Sequence, residues 1–486
     1  MPWSVSIRPR RSIKTMNTNI LNNDTICAIA TPHGMGAIAV VRVSGPKSIP
    51  IVSQLFTQND KAFELEKMVS HKAYYGHIVD HGELLDEVMV TFFQAPHSFT
   101  GEDSAEISTH GSVFIQQKLL QVLIAYGCRM AEAGEFTRRA FVNRKFDLAQ
   151  AEAIADLISS ESEAAHRVAI NQLKGGFSKE LQVMRSKLLE MTSLMELELD
   201  FSEEDVEFAD RSQLKALLEE TLDKVNKLKD SFRLGNAIKN GIPVAIVGQT
   251  NTGKSTLLNA LLGEDRAIVS DIAGTTRDTI EETLNINGIL YRFIDTAGLR
   301  NTDETIEKIG IERSYKKIQE ATLVIGMLDA TNDYATVLSA ANDIRSKVDL
   351  EHQQLILCLN KVDTMDDHGE TLLGELRLDL DNDDILVICL SAKHGFGLND
   401  LYNNLKHSQP LASPDATLVT NIRHYEALLH ASDSLNSVKV ELENNIPTDL
   451  TSQDLRQALY YLGSITGEIT TDEVLGNIFS RFCIGK

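Results

Sequence analysis

The sequence lacks the features of a disulfide-stabilised, zinc-binding or membrane-spanning protein. Its five cysteines are scattered and include no CxxC pair, which excludes a zinc ribbon or a disulfide framework and fits a reducing compartment. No apolar run approaches the ~18 residues of a membrane-spanning helix. We therefore predict a cytoplasmic protein with no membrane partner.

Basic residues are also scarce. Lys and Arg number 47 against 69 Asp and Glu, which gives a formal net charge of −22. Any RNA contact must therefore use a local basic patch or a partner subunit. The length of 486 residues and the apolar fraction of 43% predict two to four domains with packed cores, at about 150 residues each.

The first 18 residues are basic and contain no acidic residue, with Arg8, Arg10, Arg11 and Lys14 among Ser and Thr. One interpretation is a transit peptide that targets an organelle. The alternatives are an unstructured tail, or a start codon placed too early with Met16 as the true start. We favour these alternatives.

The most informative stretch is Gly248-Gln249-Thr250-Asn251-Thr252-Gly253-Lys254-Ser255, two glycines separated by four residues and followed by Lys-Ser. It follows a predicted strand over 242–247 and precedes a predicted helix over 256–262, which is the context of a P-loop. The glycines let backbone N–H groups face a phosphate, and the helix N-terminus adds its positive dipole end. Lys254 would reach the β/γ-phosphates, and the Ser255 hydroxyl would bind a magnesium ion.

Two further motifs bind phosphate and magnesium in GTPases. Asp295-Thr296-Ala297-Gly298 ends a predicted strand over 291–294; its Asp would hold magnesium through water, and the Gly298 N–H would contact the γ-phosphate. Gly274-Thr275-Thr276-Arg277-Asp278 lies between the P-loop and Asp295, where a switch threonine for magnesium belongs.

Two more motifs recognise the base. Asn360-Lys361-Val362-Asp363 follows an apolar strand over 355–359, and the Asp363 carboxylate can accept hydrogen bonds from guanine N1–H and N2–H₂. Adenine lacks this pair of donors, so GTP is selected over ATP. Ser391-Ala392-Lys393 follows a strand over 385–390 and would place a backbone N–H on guanine O6. Together the motifs predict a Ras-like P-loop α/β G domain.

Leu299 departs from the Ras pattern, in which a Gln after the glycine orients the attacking water. Leucine cannot do this, so the task must pass to another group, for which Asp303, Glu304 and Glu307 are available. Asn251 has a side-chain oxygen that could hold a monovalent cation, supplying charge that no obvious arginine finger provides. The alternative role for Asn251 is ordinary loop stabilisation.

The regions around the G domain differ in their patterns. Apolar runs over 26–30, 37–43 and 87–93, with a helix near 113–126, predict a small α/β or α+β domain that ends near Asn143. Apolar stripes at helical spacing predict helices over 147–230 and again after residue 414. The G domain is therefore predicted to be inserted into one discontinuous helical domain.

Four smaller features are open to two interpretations. We predict residues 235–241 to be a linker, and 200–205 to be a solvated loop or helix junction rather than a metal cluster. The basic segment 134–145 is either a solvated helix face balanced by acids, which we favour, or an anion site. For Cys483 we favour a packed terminal thiol over a catalytic one.

Longer stretches match a known family: 274–278, 295–300, 309–313 and the terminal Phe482-Cys483-Ile484-Gly485-Lys486, together with 98–103, 134–136 and 147–156. On these residues the chain resembles the MnmE (TrmE) family of tRNA-modification GTPases from about Asp24 to Lys486. Gln249-Thr250 replaces the Arg-Pro common in that family, and the basic tail is extra.

The resemblance implies an α/β and α architecture. Residues 1–18 are a basic, disordered tail, and 19–143 an N-terminal α+β folate-binding and dimerisation domain. The discontinuous helical domain spans 144–240 and 409–486, and the inserted Ras-like P-loop α/β G domain spans 241–408.

The resemblance also implies a reaction. A homodimer, in a heterotetramer or larger complex with the FAD-dependent partner MnmG, modifies C5 of the wobble uridine (position 34) of certain tRNAs. The group is of the aminomethyl or carboxymethylaminomethyl type, and its one-carbon unit comes from 5,10-methylene- or 5-formyl-tetrahydrofolate. GTP hydrolysis requires Mg²⁺, is stimulated by K⁺ and is coupled to G-domain dimerisation.

The resemblance assigns roles to individual residues. Glu307 positions the attacking water and is catalytic with Thr276 and Lys254. The folate-binding positions are Arg42, Glu106, Lys145 and Lys486. The Mg²⁺ ligands are Ser255 and Thr276, and the K⁺ ligands are Asn251, Ser270, Ile272 and Thr275. The full predicted GTP site comprises Asn251, Thr252, Gly253, Lys254, Ser255, Thr256, Ser270, Asp271, Ile272, Ala273, Gly274, Thr275, Thr276, Asp295, Thr296, Ala297, Gly298, Asn360, Lys361, Asp363, Ser391, Ala392 and Lys393.

Two rival functions share the G domain. An Era/Der-type ribosome-assembly GTPase would carry a KH-like RNA module or a second G domain, and the sequence has neither a GxxG-type KH loop after the G domain nor a second GKS. A GTP-gated scaffold without modification chemistry would bind no folate.

Overall fold

A computed structural model describes residues 24–59, 61–200, 211–264, 282–286, 289–294, 318–380, 385–407, 417–444, 446, 448–480 and 482–485. The predicted tail 1–18 and most of the acidic segment 200–205 lie outside them. Contacts group the chain into two units, Met1–Ala155 with Thr466–Lys486, and Asp156–Ile465. The five-part domain division predicted from the sequence stays a prediction.

The first unit is built on a mixed sheet of eight strands in the order β4-β3-β5-β6-β7-β2-β1-β8. Only the β1–β8 pair in this sheet is parallel. The strands are β1 (Thr25–Ile29), β2 (Ile38–Ser44), β3 (Phe56–Gln58), β4 (Lys61–Ala62), β5 (Ala73–Asp80), β6 (Glu83–Phe93), β7 (Ser104–His110) and β8 (Cys128–Met130). The helices are α1 (Ser48–Leu55), α2 (Val113–Ala125), α3 (Glu135–Val142) and α4 (Leu148–Ile158). The predicted strands and the helix near 113–126 are confirmed.

The two faces of this sheet differ. Alternate residues of its strands point into a core that also contains the apolar sides of α1 and α2, as the period of two along a strand requires. The opposite face carries exposed apolar residues, Ile38, Tyr75 and Met89. Tyr75 and Met89 are paired across β5 and β6. We call this surface the open face.

The end of the chain joins the first unit. A final helix, α15 (Asp472–Phe479), packs Leu475 and Phe479 against Phe141 of α3 and Leu148 of α4. Beyond it, Ile484 forms a β-bridge with Ala133. Gly485 passes so close to β1 that an added Cβ would lie 2.2 Å from the Ile29 carbonyl oxygen.

The second unit contains the G domain. Its six-stranded sheet has the order β10-β11-β9-β12-β13-β14, and all neighbouring pairs are parallel except β10–β11. The strands are β9 (Ile242–Gly248), β10 (Glu282–Ile286), β11 (Ile289–Phe293), β12 (Leu323–Asp329), β13 (Gln354–Asn360) and β14 (Leu386–Cys389). Its helices are α9 (Lys254–Glu264), α10 (Tyr334–Arg345), α11 (Glu370–Leu380) and α12 (Leu398–His407). Apolar clusters cover both faces of the sheet, as parallel sheets require.

The remaining helices of the second unit flank the G domain in sequence. They are α5 (Glu163–Leu173), α6 (Gly176–Asp200), α7 (Arg211–Asp230), α8 (Phe232–Asn240), α13 (Ile422–Glu443) and α14 (Thr448–Thr466). The Phe232 and Tyr425 rings stack at 4.6 Å between centroids, and the Ser432 hydroxyl lies 2.9 Å from the Asn226 side-chain oxygen. Helices from before and after the G domain therefore pack together, and its predicted insertion into a helical domain is confirmed.

The prediction that 235–241 is a linker is wrong for most of that segment. Residues Phe232–Asn240 form α8, which packs Ala237 on the G-domain core and Ile238 against Ala165 and Leu418. Gly235 fits because an added Cβ would lie 2.2 Å from the Val419 carbonyl oxygen. Gly235 is therefore explained by the close approach of the Val419 carbonyl group and not by a flexible joint. No helix in the part of the chain that the structure describes is long and apolar enough to span a membrane.

Candidate GTP-binding and folate-binding sites

The predicted P-loop connects β9 to α9. Gly248 and Gly253 have positive φ angles of 150° and 97°, and a Cβ on Gly253 would lie 2.1 Å from Asn360 Nδ2. No other residue fits at Gly253, since a side chain there would collide with the neighbouring motif. Asn251 also has a positive φ, 63°, which asparagine tolerates better than most residues. This backbone conformation is sufficient reason for an asparagine, so its cation-binding role stays a prediction.

Lys254 folds back onto the loop. Its ammonium lies 2.9 Å from the Gly248 carbonyl oxygen and 2.6 Å from that of Gln249. The Thr252 hydroxyl donates to the same Gln249 oxygen at 2.9 Å. The cation therefore lies at the mouth of the loop, next to the N-terminus of α9, where phosphate binds in such motifs.

Asn360 joins the P-loop to the base-recognition motifs. Its side chain is 3% exposed; Nδ2 donates to the Thr252 carbonyl oxygen at 2.7 Å, and Oδ1 accepts from the Ala392 N–H at 3.0 Å. One amide thus links three segments that are far apart in sequence.

The structure brings many of the predicted site residues to one edge of the sheet, at the carboxyl ends of β9, β13 and β14, where ligands of open α/β sheets bind. These residues are Asn251–Thr256, Asn360, Lys361, Asp363 and Ser391–Lys393.

The Ser391–Lys393 segment forms a tight turn. The Ser391 N–H donates to the Phe396 carbonyl oxygen at 2.9 Å, and the Ala392 N–H is engaged by Asn360. The predicted contact of a backbone N–H in this segment with guanine O6 stays a prediction.

Asp363 lies in a short 3₁₀ turn after β13. The Ser391 side chain is the main cause of a pKa for this carboxyl below its ordinary value, and the nearby His394 and Lys393 add to it. Asp363 is therefore ionised at neutral pH, as acceptance of two guanine N–H groups requires.

Asp329 was not predicted from the sequence, although it belongs to the same edge. It ends β12, and its carboxylate accepts from Lys361 Nζ at 2.6 Å. Burial opposes ionisation, but hydrogen bonds from Lys361 and Thr331 outweigh it and hold the pKa of Asp329 below its usual range. An apolar run that ends in an acidic residue, Leu323–Asp329, is the signal that could have identified it.

The rest of the predicted nucleotide site falls on residues outside those described. These are Ser270, Asp271, Ile272, Ala273, Gly274, Thr275, Thr276, Asp295, Thr296, Ala297, Gly298 and Glu307. Their assignments stay predictions.

In the first unit, Arg42 and Glu106 face each other across β2 and β7 on the open face. Arg42 Nη2 and Nε lie 2.8 Å and 3.0 Å from Glu106 Oε1. The guanidinium also lies over the rings of Phe99 and Phe136, at 4.9 Å and 5.7 Å from their centroids. The pair is therefore oriented by aromatic side chains that were not predicted to bind a ligand.

Lys145 lies near the loop that contains Phe99. Its ammonium donates to the carbonyl oxygen of Pro96 at 2.9 Å, and Phe99 lies three residues beyond Pro96. Lys486 lies outside the described residues. Cys483 is exposed, so the prediction of a packed thiol is wrong: the backbone of this segment is fixed by the Ile484 bridge, while the Cys483 side chain faces solvent.

The prediction that the basic segment 134–145 is a solvated helix face is wrong at Arg139. Arg139 is 3% exposed and forms ion pairs with Asp24, Glu102 and Glu135 at 2.7 Å, 3.2 Å and 2.9 Å. Burial disfavours the charge, but these carboxylates outweigh it and raise the pKa of Arg139. Its charge is balanced by acids, as expected, so Arg139 anchors α3 and is not an anion site.

The Arg139 network continues to the loop that holds Phe99. Glu102 accepts from the Ser44 hydroxyl at 2.8 Å, and that hydroxyl lies 2.7 Å from the Thr100 hydroxyl. The Asn143 amide donates to the Thr100 carbonyl oxygen at 2.8 Å. A continuous set of hydrogen bonds therefore fixes the loop beside Arg42.

Comparison with known proteins gives matches over nearly the whole chain. A model described as the GTP-binding protein TrmE N-terminus matches residues 25–145, and one described as the MnmE helical domain matches residues 148–483. The tRNA modification GTPase MnmE of Bacteroides fragilis is 50% identical over 468 residues, 96% of this chain and 100% of that protein. The proteins of the same name from Flavobacterium johnsoniae and Porphyromonas gingivalis are 50% and 49% identical over 472 residues, covering 96% of this chain and 100% and 98% of their own lengths. Such coverage exceeds what a shared G domain alone would give.

Proposed function

The chain belongs to the MnmE family of tRNA-modification GTPases, and from this premise we propose the reaction that its GTP hydrolysis serves. With an FAD-dependent MnmG partner, it modifies C5 of the wobble uridine of certain tRNAs with a one-carbon unit from tetrahydrofolate. The observation that carries the GTP-binding part of this proposal is the Asn360 side chain, which joins the P-loop to the guanine-recognition motifs. It supports a nucleotide site at that edge of the sheet.

In hydrolysis, the residues of this chain have separate tasks. The P-loop N–H groups and Lys254 bind the β/γ-phosphates, and Lys254 exchanges its carbonyl partners for phosphate oxygens. Asp363 and the Lys393 N–H bind guanine. Glu307 orients the attacking water, because Leu299 cannot.

The P-loop geometry fits a magnesium ion, since Ser255 lies in the first turn of α9, directly after Lys254. Ser255 and Thr276 would hold Mg²⁺, which neutralises phosphate charge when bound. For K⁺, the exposed Asn251 at the outer turn of the loop fits a ligand role, and Ser270, Ile272 and Thr275 would complete the site.

The first unit supplies the folate site in this proposal. Arg42 carries a charge that matches the glutamate tail of folate, while Glu106 matches the N–H edge of a pterin. Both side chains remain partly exposed, at 19% and 32%, so a ligand can reach them. Lys145 and Lys486 would add further positive charge.

The open face supports the homodimer. It presents Ile38, Tyr75 and Met89 to solvent on a sheet whose other face is fully packed, and uncovered apolar patches mark association sites. Arg42 and Glu106 lie on the same face, so a second copy docked there would lie beside the folate site.

The comparisons oppose the Era/Der-type alternative. They match the N-terminal and helical regions as well as the G domain. An assembly GTPase would share only the G domain with this chain. The GTP-gated scaffold is an outcome of the following test.

The test is reconstitution with purified protein, MnmG, substrate tRNA, GTP, Mg²⁺, K⁺, methylene-tetrahydrofolate and either ammonium or glycine. Modified wobble uridine is measured by mass spectrometry of digested tRNA. We expect modified uridine with the wild-type protein, and no product when folate is omitted or when the protein carries Arg42→Gln. Arg138→Gln is the control: Arg138 is a partly exposed arginine of the same unit, and this variant should still form product. Product formation without folate, or at the wild-type rate with Arg42→Gln, would contradict the folate assignment, and no product at all would favour the scaffold.

A further inference from the structure

The guanine pocket contains a histidine to which no role has yet been assigned. His394 Nε2 lies 3.6 Å from Asp363 Oδ2. The imidazole is 56% exposed and the carboxylate 31%, so both can exchange protons and partners with solvent. When protonated, His394 forms an ion pair with the group that guanine needs.

The position of His394 is set by the turn that carries it. Its N–H and that of Gly395 both donate to the Ser391 carbonyl oxygen, at 3.2 Å and 2.9 Å. Gly397 closes the turn, where an added Cβ would lie 2.1 Å from the Cys389 carbonyl oxygen. The contact with Asp363 is therefore held by a constrained backbone rather than by a freely moving loop.

Other charged groups near Asp363 do not replace His394. Lys393, on the same turn, also lowers the pKa of Asp363, but its effect is smaller than that of His394. Lys361, from the end of β13, is paired with Asp329. His368, before α11, stacks on Phe396 with 5.1 Å between ring centroids. Among the described residues, His394 is the side chain that makes an ion-pair contact with the Asp363 carboxylate.

We propose that His394 regulates guanine binding: it closes the empty guanine pocket by pairing with Asp363 and opens it on losing its proton. This inference rests on the proposed guanine contact of Asp363. The protonated imidazole stabilises the nucleotide-free state, so guanine must displace or weaken the ion pair. Affinity for guanine nucleotides is therefore expected to be lower when His394 is protonated and paired with Asp363. Exposed ion pairs are weak, so the expected fall is about two- to fivefold.

The experiment measures binding of fluorescent GDP to the full chain at about pH 6 and about pH 8, a range in which histidine side chains in proteins commonly change charge. Titration of the nucleotide phosphates affects all variants equally and cancels in their comparison. His394→Asn should reduce the ratio of the dissociation constants at the two pH values by about two- to fivefold. His394→Lys, a permanent cation, should bind weakly at both pH values.

His352→Asn is the matched control, because His352 pairs with Asp349 at 2.8 Å on the G-domain surface and should keep the wild-type ratio. A wild-type ratio in His394→Asn, or tight binding by His394→Lys at the higher pH, would overturn the proposal.

Asp363→Asn separates this inference from the proposed function. If it fails to shift base preference from GDP to xanthosine diphosphate, the guanine assignment is wrong, and the role of His394 is lost with it. If it shifts the preference while His394→Asn keeps the wild-type pH ratio, the inference about His394 alone is overturned.

Discussion

The Asn360 side-chain amide donates to the Thr252 carbonyl oxygen at 2.7 Å, across 108 residues of sequence. Through this bond the strand that carries the guanine-recognition motif fixes the shape of the phosphate loop. We therefore expect binding of both the phosphates and the guanine base to depend on Asn360.

Asn360→Ala should weaken nucleotide binding at least tenfold. The substitution leaves the Thr252 carbonyl and the Ala392 N–H without their buried partner, and each such group costs about 1–3 kcal/mol. Titration with fluorescent GDP measures the loss. Asn403→Ala, an exposed position on α12, should remain near wild type; equal effects at both positions would show that Asn360 has no special role.

Gly253→Ala should abolish nucleotide binding. Its Cβ would lie 2.1 Å from Asn360 Nδ2, and φ is 97°, so both the contact and the backbone conformation oppose a side chain. Gly374→Ala is the control, because nothing lies within 4 Å of its Cβ and it is inside α11. That variant should gain about 0.5–1 kcal/mol in stability. Tight GDP binding by Gly253→Ala would contradict the observed loop geometry.

Glu135→Gln should reduce the acid sensitivity of the first unit. Glu135 is 1% exposed and accepts from Arg129 and Arg139 at 2.7 Å and 2.9 Å. Burial raises the pKa of Glu135, but these hydrogen bonds outweigh it, so the net pKa is lowered. Its contribution to stability is therefore complete above the ordinary pKa of about 4.3 and is lost as the pH falls through the lower folded value.

Hydrogen exchange of peptides from β1 and α3 over this acidic range measures that effect. At neutral pH, Glu135→Gln should lower the free energy of unfolding by about 3–5 kcal/mol, because buried arginines lose their partner. Glu132→Gln alters an exposed carboxylate in the same segment and should retain the wild-type pH profile. The Glu135 assignment fails if both variants behave alike.

Replacing K⁺ by Na⁺ at equal ionic strength should slow GTP turnover, and Asn251→Ala should remove the difference. The reason is charge: a cation beside the β/γ-phosphates stabilises the transition state, and the smaller ion is expected to fit the predicted ligands less well. Steady-state phosphate release measures turnover. Equal wild-type rates in the two salts would exclude a selective cation site at Asn251.

Local patterns predicted the elements that position the nucleotide. The apolar run of β9, the glycines of the P-loop and the start of α9 are neighbours in sequence, so their spacing alone specifies them. The motif residues Asn360 and Asp363 were predicted in the same way.

Long-range contacts could not be predicted. Arg139 looked like a surface cation because its partner Asp24 lies 115 residues away. Gly235 indicated a linker, since composition does not show the Val419 carbonyl that packs against it. The contact between His394 and Asp363 depends on how a turn after β14 meets the end of β13.

We propose that GTP hydrolysis by this chain drives modification of the wobble uridine. The most direct measurement is mass spectrometry of tRNA nucleosides from cells that lack the protein and from cells complemented with the wild-type or the Glu307→Ala gene. We expect loss of the C5 modification in the deletion strain, its restoration by the wild-type gene and no restoration by Glu307→Ala, although that variant still binds GTP. Unchanged nucleosides in the deletion strain, with no redundant enzyme present, or full restoration by Glu307→Ala would contradict it.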